Sequence, residues 1–282
     1  MESKASRLIK AIMESTGRDI TPFDSSFLEV TADKRMDKVS AEDTEEYIAL
    51  LKSDSREAAV FLESLGITYS EFFRNSLTFS VLDKYIFGTL LARKGDSKAG
   101  EIRIWSAGCA AGQEPYSLAI LLADMGLGCS SEPRVRIFAT DTAADQIELA
   151  KSALYDARSL RNVKLSQLNK HFTKVGDRYK LNPSIKQMVE FSVMDLLDER
   201  HAFPTSSIYG GFDVIVCCNV LYYYSTESQN RILNRLFRAL GRGGCIVTDE
   251  VEKSIIDKFR RLKPFEWTSP IYCPSTWEGD RK

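Results

Sequence analysis

The feature that most constrains the fold is a change in hydrophobic period near residue 100. Before it, apolar residues recur at helical spacing and β-branched residues do not alternate, which predicts helices joined by polar turns. After it, short apolar runs at 102–106, 135–139 and 214–218 alternate with helical stretches. Repeated alternation of strand and helix predicts a mostly parallel sheet covered by helices on both faces.

The polar, glycine-containing segment Lys94–Gly100 separates the two patterns and marks the predicted domain boundary. We expect a small N-terminal helical domain over residues 1–97 and a doubly wound α/β domain over residues 98–282. Residues 155–187 fit the alternation poorly, so we interpret them as a small inserted subdomain of short helices and strands. In the first domain, Ser40 with Asp43 resembles a capping box for a following helix.

Composition and charge exclude several classes of function. The net charge of −1 gives no general attraction to phosphate backbones, so nucleic acid is not an expected partner. No apolar run approaches the roughly 20 residues of a membrane span, and residues 1–10 lack a secretory hydrophobic stretch, so we expect a cytoplasmic protein without membrane insertion. The six cysteines form no C-x-x-C pair and only two histidines accompany them, which predicts reduced packing thiols and no metal site.

A glycine-containing loop follows the first predicted strand. Gly108 and Gly112 let its backbone turn tightly and approach a ligand. The loop lacks the G-x-G-x-x-G spacing that brings a pyrophosphate to a helix N-terminus, which disfavours a dinucleotide. Asp141 ends the second strand, where a carboxylate can accept hydrogen bonds from both ribose hydroxyls. Together these residues favour a nucleoside without phosphates, with a helix cap at Asp141 and a plain strand–helix turn at Gly108 as the alternatives.

Two other polar residues follow predicted strands. Asp195 comes after the third strand and could accept a hydrogen bond from an adenine amino group. Asn219 follows the apolar run of the fourth strand directly, which places it at the carboxyl edge of the sheet. Taken alone, Asn219 is better explained as a turn-forming residue.

Several separated segments occur in the order that is typical of one enzyme family. They are Glu71–Arg74, Ile104–Ser117, Ala139–Asp141, Phe191–Leu196 and Phe212–Tyr224. On these segments the chain resembles the chemotaxis receptor methyltransferases, often called CheR. The Glu-Pro-Tyr-Ser word that ends at Ser117 after the glycine loop is specific, and the Phe-Phe-Arg word that ends at Arg74 makes the pairing more so. The resemblance implies a Rossmann-like methyltransferase domain that binds S-adenosylmethionine and releases S-adenosylhomocysteine.

The resemblance also implies which residues bind the cofactor. They are Thr68, Ser70, Arg74, Ala107, Gly108, Glu114, Asp141, Asp195, Leu196, Cys218 and Asn219. Arg74, which the resemblance also places in the catalytic site, would bind the methionine carboxylate, because its planar fork matches two carboxylate oxygens. Without the motif, a solvated or interdomain ion pair would explain Arg74 equally well.

By the same correspondence, Glu114 would hold the methionine amino end and Asp141 the ribose. Asp195 and Leu196 would contact the adenine, and Asn219 would line the methyl-transfer end. Tyr223 matches a catalytic tyrosine near the transferred methyl group, where its hydroxyl could orient the acceptor. The run Tyr222–Tyr224 leaves the choice among three tyrosines open.

The implied reaction is esterification of glutamate side chains on the cytoplasmic helices of chemotaxis receptors. An exposed glutamate is already ionised near pH 7, so no general base is required. The enzyme would contribute alignment and desolvation of two bound reactants.

Departures from the family pattern cluster on the acceptor side. Cys218 stands where the family usually has an arginine, Gln113 replaces a glutamate, and 249–252 replaces a Gly-His-Ser-Glu word. The basic residues of the helix that would face the receptor, Lys34, Arg35 and Lys38, are interspersed with acidic ones. Three hypotheses therefore stand: a receptor glutamate methyltransferase, a related methyltransferase with another protein acceptor, and a cofactor-binding regulatory module without turnover.

Overall fold

A computed structural model describes residues 2–66, 69–94, 100–128, 130, 134–207, 209–265 and 269–275. The chain divides into two compact units, residues 1–67 with 220–231 and residues 68–219 with 232–282. By compactness, residues 69–94 thus belong with the larger unit, and the predicted domain boundary after residue 97 stays a prediction. Within the described residues, no helix has both the length and the apolar character that a membrane crossing requires.

The first unit is built from helices packed around one apolar core. They are α1 Lys4–Thr16, α2 Ser25–Val39, α3 Thr44–Ser53 and α4 Ser55–Leu65, with a 3₁₀ turn at Leu221–Tyr223. Leu8, Tyr47 and Phe61 are among the fully buried side chains of this core. The predicted cap at Ser40 is wrong: Ser40 ends α2 in a left-handed conformation, and the Asp43 carboxylate caps α3 instead.

The second unit contains two sheets and the helices that connect their strands. Its elements are α5 Ser76–Val81, a π-helical stretch Leu82–Phe87, α6 Gly88–Lys94, β1 Glu101–Ala107, α7 Gln113–Asp124, β2 Arg134–Asp141, α8 Ala144–Ser152, β3 Leu154–Asp156, α9 Leu165–His171, β4 Phe172–Val175, β5 Arg178–Leu181, α10 Pro183–Lys186, β6 Val189–Val193 and β7 Phe212–Val216. They continue with α11 Thr226–Ala239, whose first six residues belong to the first unit, β8 Leu240–Val247, a 3₁₀ turn Glu250–Glu252, α12 Lys253–Ile256, β9 Leu262–Pro264 and β10 Ile271–Pro274.

The main sheet confirms the predicted doubly wound α/β fold. Its described strands run in the order β6-β2-β1-β7-β8-β10-β9. The first five of these strands pair in parallel, and β10 and β9 are added antiparallel. Strand order reverses on either side of β1, which creates the crevice where such sheets bind ligands. The segment interpreted as an insertion forms a separate antiparallel sheet, in the order β3-β5-β4.

Two element boundaries differ from the sequence patterns. The helical spacing of apolar residues over 72–86 predicts a helix from about Ser70, but the helix begins at Ser76, where the Asn75 side chain accepts a hydrogen bond from the Thr78 N–H. Gly241–Gly244 predicts the end of a helix, and α11 does end at Ala239, just before this segment. The next strand is predicted from Cys245 but begins at Leu240, so the glycines lie inside β8, which pairs with β7 across a register shift.

Candidate cofactor site

The strand ends that carry the predicted site residues lie at one edge of the main sheet. Ala107 of β1 is in register with Thr140 of β2, and Ser106 is in register with Val216 of β7. Asp141 is in register with Val193 of β6. Because these strands are parallel, the segments that follow them leave the sheet at the same edge. The structure thus brings the loops carrying Gly108, Asp141, Asp195 and Cys218 to that edge.

The glycine loop between β1 and α7 turns in left-handed conformations. Gly108 has a φ of 84°, Ala110 of 45° and Gly112 of 88°. The N–H groups of Gly108 and Cys109 both donate to the Thr140 carbonyl, at 2.8 and 3.0 Å. A Cβ at Gly112 would lie 2.9 Å from the Ala150 Cβ, which real side chains do not tolerate. The loop therefore needs glycine at position 112 for both its backbone angle and its close packing.

Asp141 holds the glycine loop through its carboxylate. One oxygen accepts from the Ala110 N–H at 2.8 Å and the other from the Ala143 N–H at 3.0 Å. Burial raises the pKa of Asp141 above its usual value, although these backbone donors act against the shift. The cap residue of α8 is Ala143, so Asp141 does not cap that helix. Each carboxylate oxygen has further lone-pair capacity, which leaves Asp141 able to accept ligand hydroxyls.

Glu114, in the first turn of α7, has a carboxyl group with a strongly raised pKa. The Ser106 hydroxyl of β1 donates to its Oε1 at 2.7 Å. Desolvation by burial raises the pKa of Glu114 to about 7; hydrogen bonds from Ser106 and Cys218 lower it, the Glu252 charge raises it, and the Arg74 charge lowers it. A carboxyl group so desolvated is stabilised in its charged form by a bound cation. Ser106 was not predicted; its signal is a polar residue inside an apolar strand.

Asn219 and Cys218 lie beside a second buried carboxylate that sequence reasoning missed. Asn219 has a left-handed backbone with φ of 59°, so it does form a turn. Its N–H donates to Glu252 Oε2 at 2.9 Å, and the Thr248 hydroxyl donates to the same oxygen at 2.7 Å. Glu252 is fully buried. The sequence could have indicated Glu252, because it keeps the glutamate at the last position of the otherwise altered Gly-His-Ser-Glu word.

Arg74 lies in the irregular segment before α5. It is exposed, its guanidinium donates to the Tyr69 carbonyl at 3.3 Å, and it lies 5.4 Å from the centre of the Tyr69 ring. The preceding Phe73 N–H donates to the Ser117 hydroxyl at 3.0 Å, so two of the segments that carry the family resemblance are in direct contact. Ser70 is half-buried in the same segment, and Thr68 lies outside the described residues.

The remaining predicted residues have these surroundings. Asp195 is exposed and accepts from the Leu197 N–H at 2.8 Å, while Leu196 is buried. Tyr223 belongs to the first unit, where its ring centre lies 4.9 Å from that of Phe27 and its hydroxyl is hydrogen-bonded to that of Tyr222. The ligand-binding roles of these residues, and the catalytic role of Tyr223, stay predictions.

The family model and the similar known proteins point to the same protein family. Residues 68–263 match the model "CheR methyltransferase, SAM binding domain". The chemotaxis protein methyltransferase of Listeria innocua is 31% identical over 201 residues, covering 71% of each chain. That of Escherichia coli is 30% identical over 225 residues, covering 78% of this chain and 73% of the relative.

A third relative is a 104.1 kDa protein of Rhodobacter capsulatus, 30% identical over 212 residues. The match covers 75% of this chain but spans about a fifth of that relative's length, 21%. The family model and the chemotaxis relatives agree on one family of methyltransferases. The chain belongs to the CheR methyltransferase family, and residues 68–263 are its S-adenosylmethionine-binding domain.

Proposed function

We propose that this protein transfers the methyl group of S-adenosylmethionine to glutamate carboxylates on the cytoplasmic helices of chemotaxis receptors, and therefore acts in the cytoplasm. The observation that carries the proposal is the charge pattern at the sheet edge. Glu114 offers a desolvated carboxyl group, and the positive charge of Arg74 acts on it. A carboxylate and a guanidinium complement the ammonium and carboxylate of an amino acid, which is the part that distinguishes this cofactor from other nucleosides.

The residues present fit the cofactor. The raised pKa of Glu114 indicates a site that lacks a compensating cation close enough to offset burial, and an ammonium group would supply one. Asp141 retains acceptor capacity for ribose hydroxyls after its two backbone hydrogen bonds. The glycine loop lets a ligand approach the backbone between them. When bound, the cofactor supplies an electrophilic methyl group that an ionised carboxylate can attack directly.

The chain's own residues would contribute binding and orientation to this reaction. Arg74 and Glu114 would fix the two ends of the amino-acid moiety, and Asp141 the sugar, so that the methyl group points in one direction. Asn219, with its backbone held by Glu252, would border the place where the acceptor enters. Holding two reactants at van der Waals distance in the correct orientation can lower the activation barrier by several kcal/mol, roughly 7 to 11 kcal/mol in the best aligned cases.

The helix that would face the receptor, α2, supports a choice of receptor that differs from the usual one of the family, with the same methyl-transfer reaction. On α2, the Arg35 guanidinium is engaged by the buried Glu57, with Nε to Oε1 at 2.9 Å and NH2 to Oε2 at 2.6 Å. The Tyr47 hydroxyl also donates to Glu57, at 2.9 Å. The Arg35 side chain is therefore largely buried, with 14% exposed, by an ion pair within its unit. Of the three basic residues of α2 noted above, Lys34 and Lys38 remain exposed to attract an acidic partner.

The test is methyl transfer from labelled S-adenosylmethionine to cytoplasmic receptor fragments. Alkali-labile label, released as methanol, identifies a glutamate ester, because N-methyl products survive that treatment. A fragment with its acceptor glutamates replaced by glutamine is the matched substrate control, and Glu114→Gln is the matched enzyme control. Cofactor binding without transfer to any receptor fragment would contradict the proposal and favour the regulatory module.

A different protein acceptor is the second candidate, and Cys218 favours it. The family arginine at this position would place a cation beside a negatively charged acceptor, whereas the Cys218 thiol is a neutral group that lies beside Glu114 and the Val247 carbonyl. Burial raises the pKa of that thiol well above its usual value, so it stays neutral. We expect Cys218→Arg to increase transfer to receptor fragments by about one to two orders of magnitude if the missing charged hydrogen bond limits the rate. Unchanged or slower transfer would show that the missing cation is unimportant.

A further inference from the structure

Tyr155 connects the inserted segment to the glycine loop of the cofactor site. It lies on β3, at the start of residues 155–187, and is only 5% exposed. We propose that Tyr155 is a positioning residue, which holds the glycine loop in the conformation that binds the cofactor. This inference rests on the cofactor-binding role proposed for that loop and goes beyond it, because it assigns a function in the site to the inserted subdomain.

The contacts of the Tyr155 hydroxyl carry the first step. It donates a hydrogen bond to the Ala111 carbonyl, in the middle of the loop, at 2.8 Å. A Cβ placed on Gly112 would lie 3.1 Å from the same hydroxyl oxygen, so the loop backbone passes directly against the tyrosine. Burial raises the pKa of Tyr155 well above its usual value, so the hydroxyl keeps its proton and remains a donor.

The loop depends on such external contacts because its own backbone is strained. Ala110 has a φ of 45°, a left-handed conformation that a residue with a Cβ adopts only when its surroundings hold it there. The Ala110 N–H donates to Asp141, and the neighbouring Ala111 carbonyl accepts from Tyr155. The two peptide groups that flank the Ala110–Ala111 peptide are thus fixed from two different elements. Release of one contact lets the loop relax and moves the donor that orients the Asp141 carboxylate.

A further contact of the tyrosine ring, besides its edge contact with Tyr116, extends to the segment that carries Arg74. The rings of Phe72 and Tyr155 meet edge to face, with centres 4.8 Å apart and planes at 90°. The Phe72 N–H donates to the Ser159 carbonyl at 3.0 Å. Glu71, 4% exposed, pairs with Arg161 at 2.6 Å. One side chain therefore contacts both the glycine loop and the segment two residues before the predicted carboxylate ligand.

The experiment compares Tyr155→Phe with Tyr116→Phe in the full chain. Tyr116 is the matched control, because it is also buried and its hydroxyl donates to a backbone carbonyl, that of Ala150 in α8, at 3.1 Å. Each variant keeps its ring and loses one neutral hydrogen bond. Urea unfolding measures the loss of stability, calorimetric titration with S-adenosylhomocysteine measures affinity, and amide hydrogen exchange reports on the loop.

We expect Tyr155→Phe to weaken S-adenosylhomocysteine binding by about threefold to tenfold, the range that corresponds to one neutral hydrogen bond. In methyl transfer it should raise KM for the cofactor by a similar factor with kcat changed less. Tyr116→Phe should lose comparable stability without this loss of affinity. Equal affinity changes in the two variants, or a fall in kcat alone, would overturn the proposal.

Hydrogen exchange separates failure of this inference from failure of the proposed function. In the free protein, the amides of Ala110 and Gly112 should exchange faster in Tyr155→Phe than in wild type or Tyr116→Phe. If wild type bound no cofactor, the proposed function would fail, and Tyr155 would lose its role in binding. If wild type bound and the exchange rates of the loop were identical in all three proteins, Tyr155 would not position the loop.

Discussion

Cofactor affinity should decrease on acidification because of Glu114. Burial raises its pKa to about 7 in the free protein. If Glu114 holds the ammonium group of the cofactor, as we propose, binding favours the ionised carboxylate, and the complex has a lower Glu114 pKa than the free protein. Binding therefore releases a proton below about pH 7, and affinity falls as pH falls through that value. Above about pH 8 the group is already ionised and affinity should be flat.

The size of the expected change in cofactor affinity follows from the pKa of Glu114. With a free value of about 7, only about a tenth of the molecules carry ionised Glu114 at pH 6, whereas about nine tenths do at pH 8. S-adenosylhomocysteine should therefore bind about tenfold more weakly at pH 6 than at pH 8. Titration calorimetry in two buffers of different ionisation enthalpy would measure both the affinity and the protons released.

Glu114→Gln is the control for this assignment. It retains a carbonyl oxygen that can accept from Ser106, and it cannot titrate. We expect its affinity at pH 8 to be at least about tenfold below wild type, with the Glu114 part of the pH dependence removed. Any dependence that remains at lower pH would belong to Asp141, whose pKa is also raised. Wild-type affinity that is constant between pH 6 and pH 8, or stronger at pH 6, would refute the reasoning.

Three further outcomes are expected. Asp141→Asn should weaken S-adenosylhomocysteine binding by about tenfold or more in the same titration, because a charged acceptor is lost; unchanged affinity would remove Asp141 from the site. Gly112→Ala should destabilise the protein in urea unfolding by about 1 to 3 kcal/mol more than Gly126→Ala, since both have positive φ and only Gly112 is crowded. Arg74→Ala in the full chain should weaken S-adenosylhomocysteine binding by about tenfold or more, because a charged hydrogen bond to the ligand carboxylate is lost; unchanged affinity would exclude Arg74 as a ligand.

The local signals of the sequence determined the order of the elements. The change from helical to strand period predicted the α/β fold, and β1, β2 and β7 formed where apolar runs predicted them. Gly108 and Gly112 marked the loop because positive φ is a property of the residue and its immediate backbone. The strand order placed Asp141 and Asn219 at one edge, since parallel strands share the direction of their carboxyl ends.

Tertiary structure alone decided which side chains act on one another. Glu252 is 33 residues from Asn219 and Tyr155 is 44 residues from Ala111, so no local pattern could pair them. The pairing of Arg35 with Glu57 likewise removes a basic residue from a surface that the sequence suggested was available. Even the pKa of Glu114 depends on burial by distant residues. Periodicity specifies which face of an element is buried, whereas hydrogen bonds and desolvation depend on atoms that only the folded chain brings within a few ångströms.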